Sequence, residues 1–189
     1  MPPTVVVRDD ARVSTYIVFL RAINLGARRK FPKDAIRTAV EAAGGQRVET
    51  YINTGNVRLD TRLRSRERVE QVLEEAFLAD RGFEVPTIAF TPEELALVAA
   101  DAKRFADGHE GNHYVSLLKQ EPSDEALEAL ASLTSAGGVA RVGGRAVHLL
   151  LADAYHQATL TNAQVEKHLG VATNRNVTVV RTLAERWGA

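Results

Sequence analysis

The hydrophobic pattern divides the chain into short alternating elements. Tyr16-Ile17-Val18-Phe19-Leu20 is apolar on both parities, which predicts a strand over 15–21 buried on both faces. Asn24-Leu25-Gly26 breaks that run, and Pro32 opens a helix with Ala35, Ile36, Ala39 and Val40 on one face, ended by Gly44-Gly45. Strands follow near 47–53 and 56–60, on either side of an Asn53-Thr54-Gly55-Asn56 corner. Ser65 caps the next helix, whose stripe Val69, Val72, Leu73, Ala76, Phe77 keeps helical spacing until Gly82. Val85–Phe90 reads as a further strand. The order strand–helix–strand–strand–helix–strand is that of a split-βαβ, ferredoxin-like unit.

The second half partly repeats this plan. Thr91-Pro92-Glu93-Glu94 is a capping box with proline at the first helical position, and predicts a helix to about Ala100. A loop through Gly108 and Gly111 leads to a strand at 113–118, then a helix opened by Pro122-Ser123 with Leu127, Leu130 and Ala131 inward. Gly143-Gly144 predicts a two-residue hairpin between strands 139–142 and 145–151. Helices are expected at 161–169 and 176–187, the first from the capping box Thr161-x-x-Gln164, the second burying Val177, Val180, Leu183, Ala184 and Trp187. The expected fold is therefore α+β: two packed ferredoxin-like subdomains with antiparallel sheets. Residues 1–14, with Pro2, Pro3 and an edge-strand candidate at Thr4–Val7, read as a flexible extension; 15–90 form the first subdomain and 91–189 the second.

Composition narrows the function. The 189 residues contain no cysteine, which excludes thiol catalysis and thiolate metal sites. No signal-peptide pattern and no membrane-length apolar run occur, so a cytoplasmic protein without membrane association is expected. Net charge is zero but unevenly spread: +7 over 1–66, −10 over 67–130 and +3 over 131–189, counting Lys and Arg against Asp and Glu. An anionic ligand would favour the first third, which includes Arg28-Arg29-Lys30. The plainer reading is that exposed helix faces merely differ in charge.

Several motifs fail on their own physics. His109-Glu110-Gly111-Asn112-His113 matches H-E-x-x-H, but zinc binding needs the two histidines one helical turn apart. Two glycines and an incipient strand deny that helix, so no metal site is expected. His148, His156 and His168 read as structural or surface histidines. No Walker or dinucleotide-binding glycine pattern occurs, and no cofactor is called for. An RNA-binding sheet needs aromatics on its central strands; Tyr16 and Phe19 point to opposite faces, and 56–60 has none.

The corner around Asn56 combines turn residues with polar chemistry. As structure, Asn and Gly supply the positive φ of a reversal, and Tyr51 packs across the sheet. As a site, backbone N–H groups, Asn56 and the Tyr51 hydroxyl could grip a polar ligand. Thr173-Asn174-Arg175-Asn176 supplies a second cap cluster before the last helix. Two helix starts with Arg175 would form an anion site if they converge.

At these residues the sequence resembles the family known as domain of unknown function 1697. The resemblance rests on Phe19–Gly26, Thr50–Val57, Leu160-Thr161-Asn162 with Lys167–Gly170, and Thr173–Asn176, in order and spacing from about residue 15 to the C-terminus. It implies two intertwined ferredoxin-like subdomains and no particular activity. The chain departs from the family pattern at Ala22, where glycine is usual, and around Asn53-Thr54, where Ser or Gln types are usual. It departs again at Thr159, where lysine is usual, and at Val177-Thr178, where a Trp-Asn pair is frequent.

The leading expectation is a module binding a small anionic or phosphorylated ligand through Arg21, Asn24, Tyr51, Asn56, Thr161, Asn162 and Arg175. The arginines would neutralise charge, the asparagines orient it, and Tyr51 donate or stack. Two alternatives stand beside it: an enzyme acting on such a ligand, with Asp60, Asp153 or His156 as general-base candidates, and a nucleic-acid or protein interaction adaptor using the basic first third.

Overall fold

The computed structural model describes residues 13–131, 137–152 and 154–189; Asp153 and residues 1–12 of the expected extension, with the Thr4–Val7 strand candidate, lie outside them, while Ser14 already belongs to the first strand. The first six elements are β1 (Ser14–Leu20), α1 (Lys33–Ala42), β2 (Gln46–Tyr51), β3 (Asn56–Thr61), α2 (Arg66–Arg81) and β4 (Thr87–Phe90). They make a four-stranded antiparallel sheet of order β2-β3-β1-β4. After α3 (Pro92–Phe105) the plan recurs as β5 (Asn112–Leu118), α4 (Asp124–Ala131), β6 (Gly138–Gly143), β7 (Ala146–Leu151), α5 (Asn162–Leu169) and β8 (Ala172–Asn176). This second sheet has the equivalent order β6-β7-β5-β8, and α6 (Val177–Trp187) ends the chain. The protein is α+β, with two antiparallel four-stranded sheets and six α-helices among the described residues. Both strand orders are compatible with the split-βαβ arrangement.

Strand alternation sorts β1 into two cores. Tyr16, Val18 and Leu20 meet Ile36, Val40, Leu73 and Phe77 of α1 and α2. Ile17 and Phe19 face inward, with Ile88 and Phe90 of β4, to a layer shared with the second sheet. That layer takes Leu95 and Val98 from α3, Val115 and Leu117 from β5, and Val180, Leu183 and Trp187 from α6. A third core packs α4 and α5 on the far side of the second sheet. Tyr16 and Phe19, on opposite faces of β1, are both buried in these cores.

The Ser65 cap and the complete Thr91–Glu94 capping box form as expected, and α3 runs a turn beyond Ala100. Four local expectations are corrected. The Thr161 side chain makes no capping bond. The β6–β7 loop is Gly144-Arg145, one residue later than expected, because Gly143 pairs with Ala146. In the corner after β2, positive φ falls on Ile52 (47°) and Gly55 (75°) rather than on Asn53. Most consequentially, Thr173-Asn174-Arg175-Asn176 is not a cap cluster but lies in strand β8, paired with β5, and of the four Asn176 alone caps α6. Beyond Ala172 that strand has no apolar residue, so its pattern hid it.

Two buried arginines of the second sheet reach across the shared layer to the first. Arg145 lies 4.0 Å above the Phe90 ring and donates to the Ala89 carbonyl. Arg175 lies 5.6 Å above Phe19, and Phe19 and Phe90 are themselves an edge-to-face pair. Each guanidinium thus joins the sheets by both hydrogen bonding and ring contact.

Among the described residues, no helix is long and apolar enough to cross a membrane.

Candidate functional site

The sheets leave a cleft of about 760 Å³ between them at one end. One wall is the loop after β1, from Arg21 to Leu25, with Asn53 and Thr54 of the hairpin corner. The other is the start of α5, strand β8 and the ring of Tyr114. The corner and the C-terminal segment, 120 residues apart in sequence, thus face one space.

Arg175 fixes that arrangement. β8 carries it inward, where Nε donates to Asn56 Oδ1 at 2.7 Å and Nη1 donates to Thr173 Oγ1 and the Asn174 carbonyl. Nη2 donates to the carbonyls of Leu20 and Thr54, with Gly55 at 3.3 Å. All five N–H groups therefore have neutral acceptors, and no carboxylate among the described residues pairs with the charge. Burial pushes its pKa down to about 10, still well above neutrality, so the cation persists in the cleft wall.

Asn56 is equally committed. Its amide nitrogen donates to the Tyr51 carbonyl and to Thr54 Oγ1, while its oxygen serves Arg175. Asn24, at φ 56°, donates to the carbonyls of Phe31 and Asn53 and accepts from the Phe31 N–H. These asparagines hold the wall in place; their side-chain bonding capacity is used within the protein.

Arg21 is different. Nε and Nη2 grip both oxygens of Glu166 at 2.6 and 2.8 Å across the cleft, and this hydrogen-bonded partner raises the guanidinium pKa further. Nη1 has no protein partner among the described residues, and the side chain is 35% exposed. Glu166 also accepts the Ala172 N–H, so it is itself anchored. A carboxylate fixing one edge of a guanidinium leaves the other edge pre-oriented for a planar or tetrahedral anion. Two arginines against one glutamate give these three ionic groups of the cleft one net positive charge.

Of the seven expected site residues, Arg21, Asn24, Asn162 and Arg175 line the cleft. Asn56 lies behind the wall and supports it. Tyr51 is turned away: it packs on the shared core, with the Arg186 guanidinium 5.1 Å above its ring. Thr161 precedes α5 without lining the space. Glu166, Tyr114, Tyr155 and Leu25 were not singled out from sequence. Glu166 carried one available signal, being four residues after Asn162 and so on the same helical face.

The remaining candidates lie elsewhere. Burial alone would raise the Asp60 carboxyl, but hydrogen bonds from Thr15 and Arg47 and the charge of Arg58 hold it below its ordinary value. It is part of an ion-pair cluster on the first sheet. His156 is exposed on a 3-10 turn at Tyr155–Gln157. His109 sits in the loop before β5, while His113 is buried and meets His148, with Nε2 and Nδ1 3.0 Å apart. No group of three or more potential metal ligands occurs among the described residues.

The model of the family described as "Protein of unknown function (DUF1697)" matches residues 13–148, which include the first sheet, α3 and most of the β5–β7 region. Among solved structures, conserved bacterial protein SP0830 from Streptococcus pneumoniae is similar to this chain, with a TM-score of 0.71 and 16% sequence identity. The match covers 93% of this chain and 98% of that one. At that identity the likeness is one of fold. No curated protein matches the chain.

Proposed function

The chain belongs to this family of proteins of unknown function, and from that premise we propose that it binds a small anionic or phosphorylated ligand in the cleft between its sheets. The carrying observation is the free Nη1 edge of Arg21, held toward the cleft by Glu166. Arg175 contributes field rather than hydrogen bonds, since its donors are occupied while its charge is unpaired. An anion at Arg21 would gain from both, most strongly at low ionic strength. The cleft volume lies within the ordinary range for small-molecule sites.

The test is thermal denaturation with ribose 5-phosphate and with inorganic phosphate, followed by titration calorimetry. Saturating ligand should raise the melting temperature in step with its affinity. The double variant Arg21→Gln/Glu166→Gln, which removes both members of that ion pair together, should abolish the shift while still folding. Wild-type protein indifferent to both probes at low salt would end the reading.

A further inference from the structure

We propose that the ligand of this cleft carries a planar aromatic ring as well as its anionic group. This inference rests on the anion-binding reading above and adds the second half of the ligand.

The cleft lining is chemically mixed. Beside its ionic groups it includes Tyr114 and Tyr155, both half-buried, with ring centroids 4.7 Å apart and planes inclined by 50°. Tyr155 is fixed from behind, because its hydroxyl accepts the backbone N–H of Asn162 at 2.9 Å. Tyr114 is fixed by β5, where its backbone lies between Leu149 and Asn176. The lining also includes Leu25, which is 65% exposed. An aliphatic side chain left in water and two fixed aromatic rings give one cleft apolar surface that a flat ring would cover.

The start of α5 brings the two features together. The Tyr155 hydroxyl accepts the Asn162 N–H, the Asn162 side-chain amide donates to the Ala172 carbonyl, and the Ala172 N–H donates to Glu166, which holds Arg21. One small ligand can therefore touch both. A bare anion would leave the tyrosine rings uncovered, and a neutral aromatic would leave the Nη1 edge of Arg21 unused. A ligand class that offers both groups is a ring-bearing monophosphate, such as a nucleoside monophosphate.

Calorimetry at low salt with four probes tests this: inorganic phosphate, ribose 5-phosphate, adenosine and AMP. Base-on-aromatic contact is worth roughly tenfold in affinity, so AMP should bind about that much more tightly than ribose 5-phosphate, with adenosine weakest. Tyr114→Leu keeps an apolar side chain on β5 and should reduce AMP to the affinity of ribose 5-phosphate, leaving the latter unchanged. Equal binding of AMP and ribose 5-phosphate by wild type would overturn the ring inference and leave the anion reading intact. Adenosine binding as tightly as AMP would instead remove the anion reading. Silence with all four probes would remove both. A Tyr114→Leu protein that still prefers AMP would overturn the assignment of the ring to the two tyrosines.

Discussion

Arg175 Nε donates to Asn56 Oδ1 at 2.7 Å, joining the last strand of the second sheet to the third strand of the first across 119 positions of sequence. Both side chains are buried and both are otherwise satisfied within the protein. The bond therefore belongs to the scaffold of the cleft rather than to its free surface.

Asn56→Ala should accordingly weaken the fold. It removes an acceptor from a buried guanidinium and leaves the Tyr51 carbonyl and Thr54 hydroxyl without their donor. Losing one partner of a charged buried bond costs about 1–3 kcal/mol. Arg175→Met should cost at least as much, and the double variant less than the sum of the two. Chemical denaturation of the four proteins of this cycle measures the coupling; additive effects would mean that the pair does not join the sheets.

The difference between what the residues announce and what they do is physical. Strand β1 and helix α2 were legible because each buries an apolar face in a regular period, and period is what sequence displays. Strand β8 was not: Thr173 and Arg175 are buried through hydrogen bonds to residues more than fifty positions away or to each other, and no local pattern encodes those partners. Arg175 and Asn56 were expected to contact a ligand; in the structure their side chains bond to each other and to Tyr51, Thr54, Thr173 and Leu20. Glu166 was invisible for the opposite reason. A glutamate on an amphipathic helix looks like a solvent-facing residue until the fold brings Arg21 to it.

Ala22 sits at φ 56°, in the left-handed region that favours glycine, at the lip of the cleft. A Cβ there costs about 1 kcal/mol relative to glycine in the folded state, partly offset by glycine's greater freedom when unfolded. Ala22→Gly should leave the melting temperature unchanged or raise it by a few degrees. A clear fall, measured by calorimetry, would show that the Ala22 methyl makes contacts that outweigh the backbone preference.

Gly55 is constrained twice. Its φ is 75°, and a Cβ built on it would lie 2.7 Å from Leu20 Cβ and 2.9 Å from Ile23 Cδ1. Gly55 also presents its carbonyl to the Leu20 N–H. Gly55→Ala should shift the hairpin corner away from β1 and cost more than the ~1 kcal/mol of backbone preference alone. The associated loss of ribose 5-phosphate binding would report displacement of Asn53 and Thr54 from the cleft wall. Wild-type stability in this variant would contradict the close approach.

The buried imidazoles make stability depend on pH in a window that can be isolated. His113 Nε2 and His148 Nδ1 lie 3.0 Å apart, and neither outer ring nitrogen has a partner. Burial pushes both pKa values down to about 4. The charges facing the pair do not reverse this: Arg181 and His109 oppose protonation of His113, and Arg104 opposes that of His148, with only Asp101 favouring it. Phe105 closes the site against the His148 ring. Above pH 6.5 the rings are neutral whether the chain is folded or not, and their contribution to stability is fully present. As pH falls from 6.5 toward 4 the unfolded chain binds protons that the folded chain refuses, so stability declines. The upper limit is about 1.4 kcal/mol per pH unit for each histidine, reduced because protonating one ring opposes protonation of the other. The interval from pH 6.5 to 5 lies above the ordinary carboxylate range and above Asp60, which is held low; burial raises the Glu70 carboxyl, which opposes the decline equally in wild type and in a histidine variant. Melting temperatures across that interval should fall steadily in wild type. His148→Gln keeps a polar partner for His113 and should have a visibly shallower slope, although it starts from lower stability. Equal slopes would place the protons on histidines outside the pair and reject this account.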